Sequence, residues 1–500
     1  MSLFQSVVFK QSMRPAFYQL IGCLLALGLG HSVGSAQQRL SDIHYTVEAG
    51  AFLSTGNTNP FWIRSNQFGE ILLSSPGFTF RAQIKKDYDS LARKKFSYGY
   101  GARAIVNAGS VNQLLLSELY GKLRYGPLEF SVGRRREVLG LVDTLLSSGS
   151  YIWSGNALPL PKIQLSIPQY TAILKNGLIA VKGNYAHGWF GTGDSVQNYF
   201  LHQKSLYIRI GKPDWRFKIH GGFNHQVQWG GTVLYPRYDS GVRITQFGTD
   251  LSTYWYVISG KTLYTADPLI VQNGQASAEG GNRVGNHLGT LDVGFEYEDE
   301  KSRWFLYRQS IYEAGALYNL SNISDGLTGL SITRKRVQQG VQRLVLEYLH
   351  TSNQAGSIPS GGAITPELRG NEDYFNNGRY IDGWVYKGQT IGTPFIMPLQ
   401  YATGVPQNLV KNPRYIVNNR VNALTLGVKS RYKQLDMMTR LSFSNNLGSY
   451  EVPLSYTQTS VQQQFIFPVK AYLVTANIGY DAAGILKQNL GINLLVSRTF

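Results

Sequence analysis

The sequence has almost no cysteine and no long apolar run in its main body. Cys23 is the only cysteine among 500 residues, so the chain can form neither an internal disulfide framework nor a cysteine metal site. Beyond residue 36, no apolar segment approaches the roughly 20 residues that a membrane-spanning helix needs. Charged residues are scarce as well, at 16%. These absences exclude a disulfide-stapled domain and a helical membrane protein.

The first 36 residues have the order of a secretory signal peptide. A positively charged start precedes the apolar stretch Leu20–Gly30, and small residues follow at Gly34 and Ala36. The apolar stretch is too short to span a membrane, and the small residues fit a signal-peptidase cleavage site. We therefore expect an exported protein with a signal peptide over residues 1–36 and a mature chain that begins at Gln37.

A lipoprotein signal is the alternative for this segment, because Leu20-Ile21-Gly22-Cys23 resembles a lipobox in which Cys23 would carry the lipid. In a lipoprotein the apolar run ends at the cysteine, whereas here it continues through Leu24–Leu29. We therefore expect Cys23 to be removed with the signal peptide.

Aromatic residues and glycine are what the sequence contains in abundance. It has 32 Tyr, 23 Phe, 8 Trp and 54 Gly, which is typical of a sheet protein with aromatic residues at a membrane interface. No stretch of linker composition divides residues 37–500, so we expect one closed unit. Because only helices and closed barrels satisfy backbone polar groups in lipid, a membrane protein of this composition must be a β-barrel.

The net charge of +18 suggests a polyanionic partner. Nucleic acid is not expected, because an exported chain rarely meets it. Lipopolysaccharide phosphates and acidic capsular glycans are the better candidates, and a merely solvated basic surface is the alternative. Arg134-Arg135-Arg136 is the densest basic run.

Alternation of apolar and polar residues supports the barrel. Apolar residues occupy the even positions from Tyr98 to Val106, with Arg103 and Asn107 on the other face and Ile105 as the one exception. The hairpin 206–224 keeps the same period of two on both sides of its turn. A lipid-facing exterior and a wet lumen fit this pattern. A soluble β-sandwich would show it too, but the number of such segments and the signal peptide favour the barrel.

Further strand pairs are predicted at 291–310 and 422–444, and the last strand ends in phase on Phe500. A terminal aromatic of this kind resembles the signal by which the barrel-assembly machinery recognises outer-membrane proteins. The Gly-rich and Asn-rich stretches 264–290 and 353–422 are expected to form extracellular loops or to fill the lumen. The predicted fold class is all-β: a transmembrane antiparallel β-barrel of about 16–18 strands whose lumen is filled by loops or short helices.

One segment raises the possibility of catalysis. Tyr348 to Asn353 resembles the YxHxSNG signature of outer-membrane phospholipase A, and residues two apart on a strand share a face, so His350 would be placed to take a proton from Ser352. Gln354 departs from that signature, and the rest of the chain does not match it. We therefore expect no enzyme activity. The eight histidines are scattered and form no metal motif, so neither a metal nor another cofactor is expected.

Three segments resemble the capsule assembly Wzi family of outer-membrane proteins. They are Asn59–Gly69, Gln228–Gly231 and, most closely, Gly370–Phe395, with the sequence GNEDYFNNGRYIDGWVYKGQTIGTPF. A weaker match is Ser154–Pro159. The resemblance implies an outer-membrane location and a lectin-like, non-catalytic role in attaching or assembling capsular polysaccharide. Its partners would be that polysaccharide, outer-membrane lipid, lipopolysaccharide and the barrel-assembly machinery. A saccharide diffusion channel and, less expected, a barrel phospholipase are the alternatives.

The aromatic and amide-rich loop within Gly370–Phe395 is the candidate polysaccharide site. Aromatic faces stack on sugar rings, while Asn and Arg side chains bond hydroxyls and carboxylates. The residues that would do this are Tyr374, Phe375, Asn376, Asn377, Arg379, Trp384 and Tyr386. The competing interpretation is that this loop packs inside the lumen, because buried aromatic residues fill space more often than they bind ligands.

Overall fold

The computed structural model describes residues 43–88, 95–239, 242–261, 283–313, 316–358, 370–409 and 416–500. The predicted signal peptide and its cleavage site at Gln37 lie outside these residues. Most of the described chain is β-strand. Within the described ranges, no helix is both long and apolar enough to cross a membrane.

The strands are β1 (Ile43–Ser54), β2 (Gly77–Lys86), β3 (Phe96–Gly109), β4 (Gln113–Tyr125), β5 (Leu128–Arg134), β6 (Pro161–Ala172), β7 (Ile179–Gly191), β8 (Val196–Gln197), β9 (Tyr199–Ile210), β10 (Phe217–Trp229), β11 (Gly231–Asp239), β12 (Val242–Phe247), β13 (Asn286–Glu298), β14 (Ser302–Tyr312), β15 (Gly326–Arg334), β16 (Gly340–His350), β17 (Val385–Tyr386), β18 (Gln389–Thr390), β19 (Met397–Pro398), β20 (Ile416–Asn418), β21 (Val421–Tyr432), β22 (Leu435–Gly448), β23 (Pro453–Val469), β24 (Tyr472–Asp481) and β25 (Asn489–Thr499). The α-helices are α1 (Phe61–Arg64) and α2 (Leu251–Ser259), and short 3-10 helices cover Ala316–Asn319, Leu399–Tyr401 and Gln407–Leu409.

Eighteen of these strands form one closed antiparallel barrel. The small strands β8, β11, β12 and β17 to β20 lie outside it. Each barrel strand pairs with the previous and the next one, and β1 pairs with β25 to close the sheet, with Thr46 opposite Thr499 and Ser54 opposite Gly491. Closure removes both sheet edges and so satisfies the backbone in lipid. The prediction of an antiparallel barrel of about 16–18 strands is confirmed.

The two faces of the barrel wall carry different residues. In β3 the even positions Tyr98 and Val106 are exposed, whereas Arg103, Asn107 and the exceptional Ile105 are buried. In the predicted hairpin, Leu206, Ile208, Ile210, Phe217 and Ile219 are exposed, and their neighbours Lys218 and His220 are buried. Outward apolar side chains therefore alternate with inward polar ones, as a membrane barrel requires.

The connections differ in length at the two ends of the barrel. Short turns join β4 to β5, β21 to β22 and β23 to β24, at the same end where Tyr45 and Phe500 exchange backbone hydrogen bonds. The long connections 55–76, 135–160 and 351–420 all leave the other end. Since short turns are periplasmic and long loops extracellular in such barrels, we assign the long-loop end to the cell exterior.

The lumen is filled by a plug, which consists of the described residues of 55–76, 135–160 and 370–409. These segments bond to inward side chains around the wall: Trp62 Nε1 donates to Ser442 Oγ at 3.0 Å, the Leu141 amide donates to Asp292 Oδ2 at 2.9 Å, and the Tyr151 amide donates to Gln309 Oε1 at 2.9 Å. The three segments share one hydrophobic core with inward residues of the wall. The predicted filling of the lumen by loops is therefore observed.

Helix α2 lies on the outside of the wall, near the extracellular end. Its side chains and carbonyls contact outward residues of β9 and β10: Tyr254 OH is 3.3 Å from His202 Nδ1, Tyr254 stacks on Trp229, and Lys204 Nζ donates to the Ile258 carbonyl. Leu251 and Trp255 are exposed on its far side. The helix thus supplies the apolar surface that the wall lacks beneath it.

This arrangement corrects one predicted boundary. The stretch 264–290 was expected to form an extracellular loop or to fill the lumen; its residues 264–282 lie outside the described part of the chain, and β13 begins within it at Asn286. The polar outward residue His287 hid this strand start from the alternation pattern. It is buried, and its Nε2 lies 2.8 Å from the Val284 carbonyl, so it does not need to be apolar.

Candidate functional site

The predicted polysaccharide-binding loop forms part of the plug. The rings of Tyr374, Phe375 and Trp384 are 0% exposed, and Tyr386 is 3% exposed. Tyr151 meets the first two rings edge-on, with centroids 6.1 Å from Tyr374 and 5.3 Å from Phe375. These side chains therefore present their faces to other parts of the plug.

The polar residues of this loop bond within the protein as well. Asn376 exchanges hydrogen bonds with the backbone of Ile416, at 3.0 and 3.2 Å. The side-chain oxygen of Asn377 accepts the backbone N–H groups of Arg379 and Tyr380 and so closes a local turn. Asn377 and Arg379 remain half-exposed. The structure brings the seven predicted residues together in one loop, and most of them are enclosed.

A buried carboxyl group holds the start of the loop. Glu313 follows β14 and accepts the backbone N–H of Phe375 at 3.0 Å. Burial, together with the nearby carboxylate of Glu372, raises the pKa of Glu313 well above its ordinary value. A raised pKa favours the uncharged form of this carboxyl, which still accepts the hydrogen bond and costs less to bury.

A more open site lies beside this loop, where the barrel wall has a gap at the extracellular end. Pairing between β4 and β5 starts at Leu119 and Arg134, so residues 113–118 of β4 extend beyond the end of β5. The chain turns into the lumen after Arg134 and returns to the wall only at Pro161. The hairpin of β17 and β18 lies next to this gap. We call the residues 113–118, Arg134 and the hairpin Val385–Thr390 the notch.

The notch contains a cavity of about 380 Å³. Its apolar lining comes from leucines of β4 and of the plug. Its polar lining comprises Gln113, Arg134, Lys387, Gln389 and Tyr401. A site with apolar surface and a few convergent polar groups is typical of small-molecule and saccharide recognition. Lys387 also lines a second cavity of about 180 Å³, together with Asp194, Asp382 and Gln400.

Arg134 is fixed across the notch. Its Nη2 donates to Tyr386 OH and its Nη1 donates to the Leu116 carbonyl, both at 3.0 Å. Its neighbours in the basic run are neutralised: Arg135 pairs with Glu129 at 2.6 Å and Arg136 pairs with Glu118 at 3.2 Å. Among the described residues, Arg134 forms no ion pair. The sequence marked the basic run but could not distinguish its three members.

Lys387 is the second cation of the notch. It occupies the hairpin turn with a φ of 51°, and its side chain is exposed. Its Nζ donates to the Thr192 carbonyl at 3.3 Å, and no acidic partner pairs with it in the described part of the chain. Two cations that form no ion pair with a described carboxylate thus flank one cavity, which favours an anionic ligand there.

Deeper in the lumen, an acidic residue of the plug, Glu137, forms ion pairs with cations. Burial opposes ionisation of Glu137, but Lys162 and Arg135 lower the pKa of this carboxyl to about 2. Lys162 Nζ lies 2.7 Å from Glu137 Oε2. The plug is therefore held by ion pairs as well as by its apolar core. No group of three or more histidine, cysteine or acidic side chains suited to a metal ion occurs among the residues that the structure describes.

A family model described as capsule assembly protein Wzi matches residues 75–396, which is more than half of the chain. The chain belongs to the Wzi family of capsule assembly proteins. The match includes Arg134, Lys387 and the whole loop from Tyr374 to Tyr386. Wzi family membership and the barrel together place the protein in the outer membrane, with surface polysaccharide as its associated material.

Solved structures add a fold likeness to this Wzi family member. OccK5 of Pseudomonas aeruginosa is 10% identical with a TM-score of 0.44, and the match covers 92% of this chain and 98% of that one. OpdL of the same organism has 10% identity, a TM-score of 0.43 and the same coverage. An anion-selective porin from Comamonas acidovorans has 7% identity, a TM-score of 0.37 and again the same coverage. Likenesses this distant carry no argument on substrate or transport. No curated protein matches the chain.

Proposed function

We propose that this protein attaches capsular polysaccharide to the outer surface of the cell by non-catalytic, lectin-like binding at the notch. The observation that carries the proposal is a pair of cations, Arg134 and Lys387, at a cavity on the extracellular end, with which no acidic residue of the described ranges forms an ion pair. Family membership supports the polysaccharide as the ligand class.

The chemistry of the notch suits an acidic saccharide. An arginine guanidinium binds a carboxylate through two parallel N–H donors, and Arg134 is already oriented by Tyr386. The amides of Gln113 and Gln389 supply donors and acceptors for hydroxyl groups. Tyr401 and the leucines supply apolar surface for the C–H faces of a sugar ring. We therefore favour a capsule that contains uronic acid or another anionic sugar.

The predicted loop has a supporting role in this proposal. Of its seven residues, Tyr386 belongs to the notch and accepts a hydrogen bond there from Arg134. The buried rings of Tyr374, Phe375 and Trp384 fix the loop from which the β17–β18 hairpin projects. Direct stacking of a sugar on these three rings stays a prediction, and their burial argues for the supporting role.

The plug supports attachment over the alternative of a saccharide diffusion channel. Its hydrogen bonds to Ser442, Asp292 and Gln309 join it to separate strands around the wall. Liposome swelling is the test: we expect proteoliposomes of the purified protein to exclude disaccharides, and swelling at the rate of an open porin would favour the channel.

Two further partners belong to the proposal. Lipopolysaccharide would contact the outer-leaflet part of the wall, where Trp255 of α2 is exposed. The barrel-assembly machinery would recognise the last strand, whose terminal Phe500 is exposed and stacks under Arg498 at 4.5 Å.

The main experiment measures binding of short capsular fragments to Arg134→Ala and Lys387→Ala in proteoliposomes. Hydrogen bonds to charged groups contribute about 1.5–3 kcal/mol, so we expect each variant to bind about 10- to 150-fold more weakly. Fragments are used because a long polymer would mask the loss through multivalency. In cells, the same variants should release polymer into the medium without stopping its synthesis.

Lys433→Ala is the matched control. Lys433 occupies a hairpin turn with a φ of 54°, against 51° for Lys387, but it lies at the periplasmic end. Both substitutions remove one lysine from a left-handed turn, so they share any cost in turn stability. The proposal fails if Lys387→Ala and Arg134→Ala bind fragments as tightly as Lys433→Ala does.

A further inference from the structure

A serine, a histidine and an aspartate form a hydrogen-bonded chain at the extracellular rim of the wall. Ser352 Oγ lies 3.2 Å from His350 Nε2, and His350 Nδ1 lies 2.7 Å from Asp325 Oδ1. A carboxylate only accepts, so Nδ1 carries the proton and Nε2 is left as the acceptor for the serine hydroxyl. This is the order of contacts that activates a serine nucleophile, which is recognised by geometry rather than by position in a sequence.

The carboxylate of Asp325 is held rigidly. Asp325 is 0% exposed and accepts the backbone N–H of Gln354 at 2.7 Å and the hydroxyl of Tyr374 at 2.8 Å. Arg308 clamps the preceding loop, because its Nη2 donates to the carbonyls of residues 323, 324 and 325 at 2.7 to 3.0 Å. Asp325 therefore has a fixed position, from which it orients the imidazole of His350.

The serine and the histidine are accessible where the carboxylate is not. His350 has 24% of its side chain exposed, and Ser352 is half-buried. Ser352 Oγ also donates to Asn422 Oδ1 at 3.0 Å. A rotation about the Cβ–Oγ bond leaves Oγ in place and redirects the hydroxyl proton from Asn422 to His350 Nε2.

The surroundings indicate a lipid substrate. His350 follows Leu346 and Tyr348 on the outward face of β16, and Leu424 of β21 lies opposite Tyr348. These three apolar side chains are 43%, 45% and 50% exposed. They form an apolar strip that leads from the membrane region of the wall to the serine. An acyl chain in the outer leaflet would lie along this strip with its ester group at the rim.

We propose that Ser352, His350 and Asp325 form an acyl-ester hydrolase site for lipids of the outer leaflet. Ser352 Oγ attacks the ester carbonyl carbon while its proton passes to His350 Nε2. The carbon–oxygen bond to the alcohol then breaks, and His350 returns the proton to the departing alkoxide. Water repeats the sequence and releases the fatty acid, so atoms and charge balance. Ser352 and His350 are the catalytic residues, and Asp325 is a positioning residue.

Arg420 supplies a positive charge at the site. Its Nε donates to the Ser352 carbonyl at 3.2 Å, and its guanidinium lies 3.8 Å over the Tyr450 ring. A fixed cation beside the nucleophile stabilises the negative oxygen that forms when the ester is attacked.

The experiment uses the full chain in proteoliposomes and has two substrates. One set of vesicles contains phosphatidylethanolamine and the other contains purified lipid A, and released fatty acid is measured for both. Covalent labelling by a fluorophosphonate is followed by mass spectrometry. We expect the label on Ser352 and release from one of the two lipids, which identifies the source of the acyl ester. If Ser352 is not labelled and no fatty acid is released from either lipid, the proposal is overturned.

Variants separate this chemistry from a structural role. Ser352→Ala should lose labelling and lower fatty-acid release by at least about 100-fold. Ser310→Ala, which changes an outward serine two strands away on β14, should keep both. Heat-modifiability confirms that each variant is assembled. Activity retained by an assembled Ser352→Ala variant would refute the assignment.

Asp325→Asn tests the positioning residue. Without the carboxylate the imidazole loses the acceptor that fixes its tautomer, so the labelling rate of the assembled variant should fall. A loss of assembled protein with an unchanged labelling rate of the remainder would mean that Asp325 only supports the plug.

Discussion

Leu206 lies on the lipid-facing surface at the depth where a charged side chain costs the most free energy. It is 43% exposed on the outward face of β9 and lies opposite Phe223 of β10. Phe223 lies six residues from Phe217 at the periplasmic end of β10 and six residues from Trp229 at its extracellular end. Leu206 therefore lies at the middle of this strand pair, near the midplane of the membrane. The perturbation is Leu206→Arg.

The expected cost follows from this depth. An arginine on the lipid face near the bilayer midplane costs about 2–4 kcal/mol, which corresponds to a roughly 30- to 900-fold smaller folding equilibrium constant. Val111→Arg is the control, because Val111 is 46% exposed in the extracellular turn between β3 and β4. The two side chains have nearly equal exposure, so only the surrounding medium separates them, and the control should cost less than about 1 kcal/mol.

The assay is urea unfolding from lipid vesicles, followed by tryptophan fluorescence, together with heat-modifiability of the protein made in cells. Leu206→Arg should lower the free energy of unfolding by the stated amount, and Val111→Arg should leave it nearly unchanged. Equal free energies for the two variants would refute the assignment of this face to lipid.

Other outcomes are expected from the same structure. Ile208→Arg should cost less than Leu206→Arg because Ile208 is two residues closer to the periplasmic turn, and Arg209→Ala should be mild in the same unfolding assay. Trp384→Ala leaves a cavity at a fully buried site and should lower the free energy of unfolding of the plug by about 3–5 kcal/mol. Limited proteolysis measures this change as faster cleavage of the plug. The pKa of Glu137 is lowered to about 2 in the folded protein. Its charged form therefore stabilises the folded state at a pH above the ordinary carboxyl pKa, and this stabilisation is lost as the pH falls toward 2. In Glu137→Gln, the urea concentration at the unfolding midpoint should change less with pH over that range. Capsule retention should be unchanged in Ser352→Ala, so the attachment function and the hydrolase site can fail separately.

The sequence located the barrel wall well, because its signal is local. Alternation with a period of two needs only neighbouring residues, so the outward faces of β3, β9 and β10 followed from the sequence alone. The strand start at Asn286 was misplaced because the outward His287 is buried and lies within hydrogen-bond distance of the Val284 carbonyl, so this position does not need an apolar side chain.

The candidate site depended much more on tertiary structure. The sequence marked the loop from Tyr374 to Tyr386 by its density of rings, but density does not say whether a ring is stacked on a sugar or on another ring. Burial of Tyr374 and Trp384 follows from the meeting of three distant segments inside the lumen. No local pattern contains that information.

What the sequence determined by itself is the class of protein: an antiparallel barrel with apolar residues outside, polar residues inside and a resemblance to Wzi proteins. What only the tertiary structure decided is which polar groups meet. Arg134 and Tyr386 are 252 residues apart and join at the notch, and Asp325 joins His350 from a different strand connection. The physical reason is that strand faces are set by the geometry of consecutive residues, whereas such contacts are set by how the loops close over and inside the barrel.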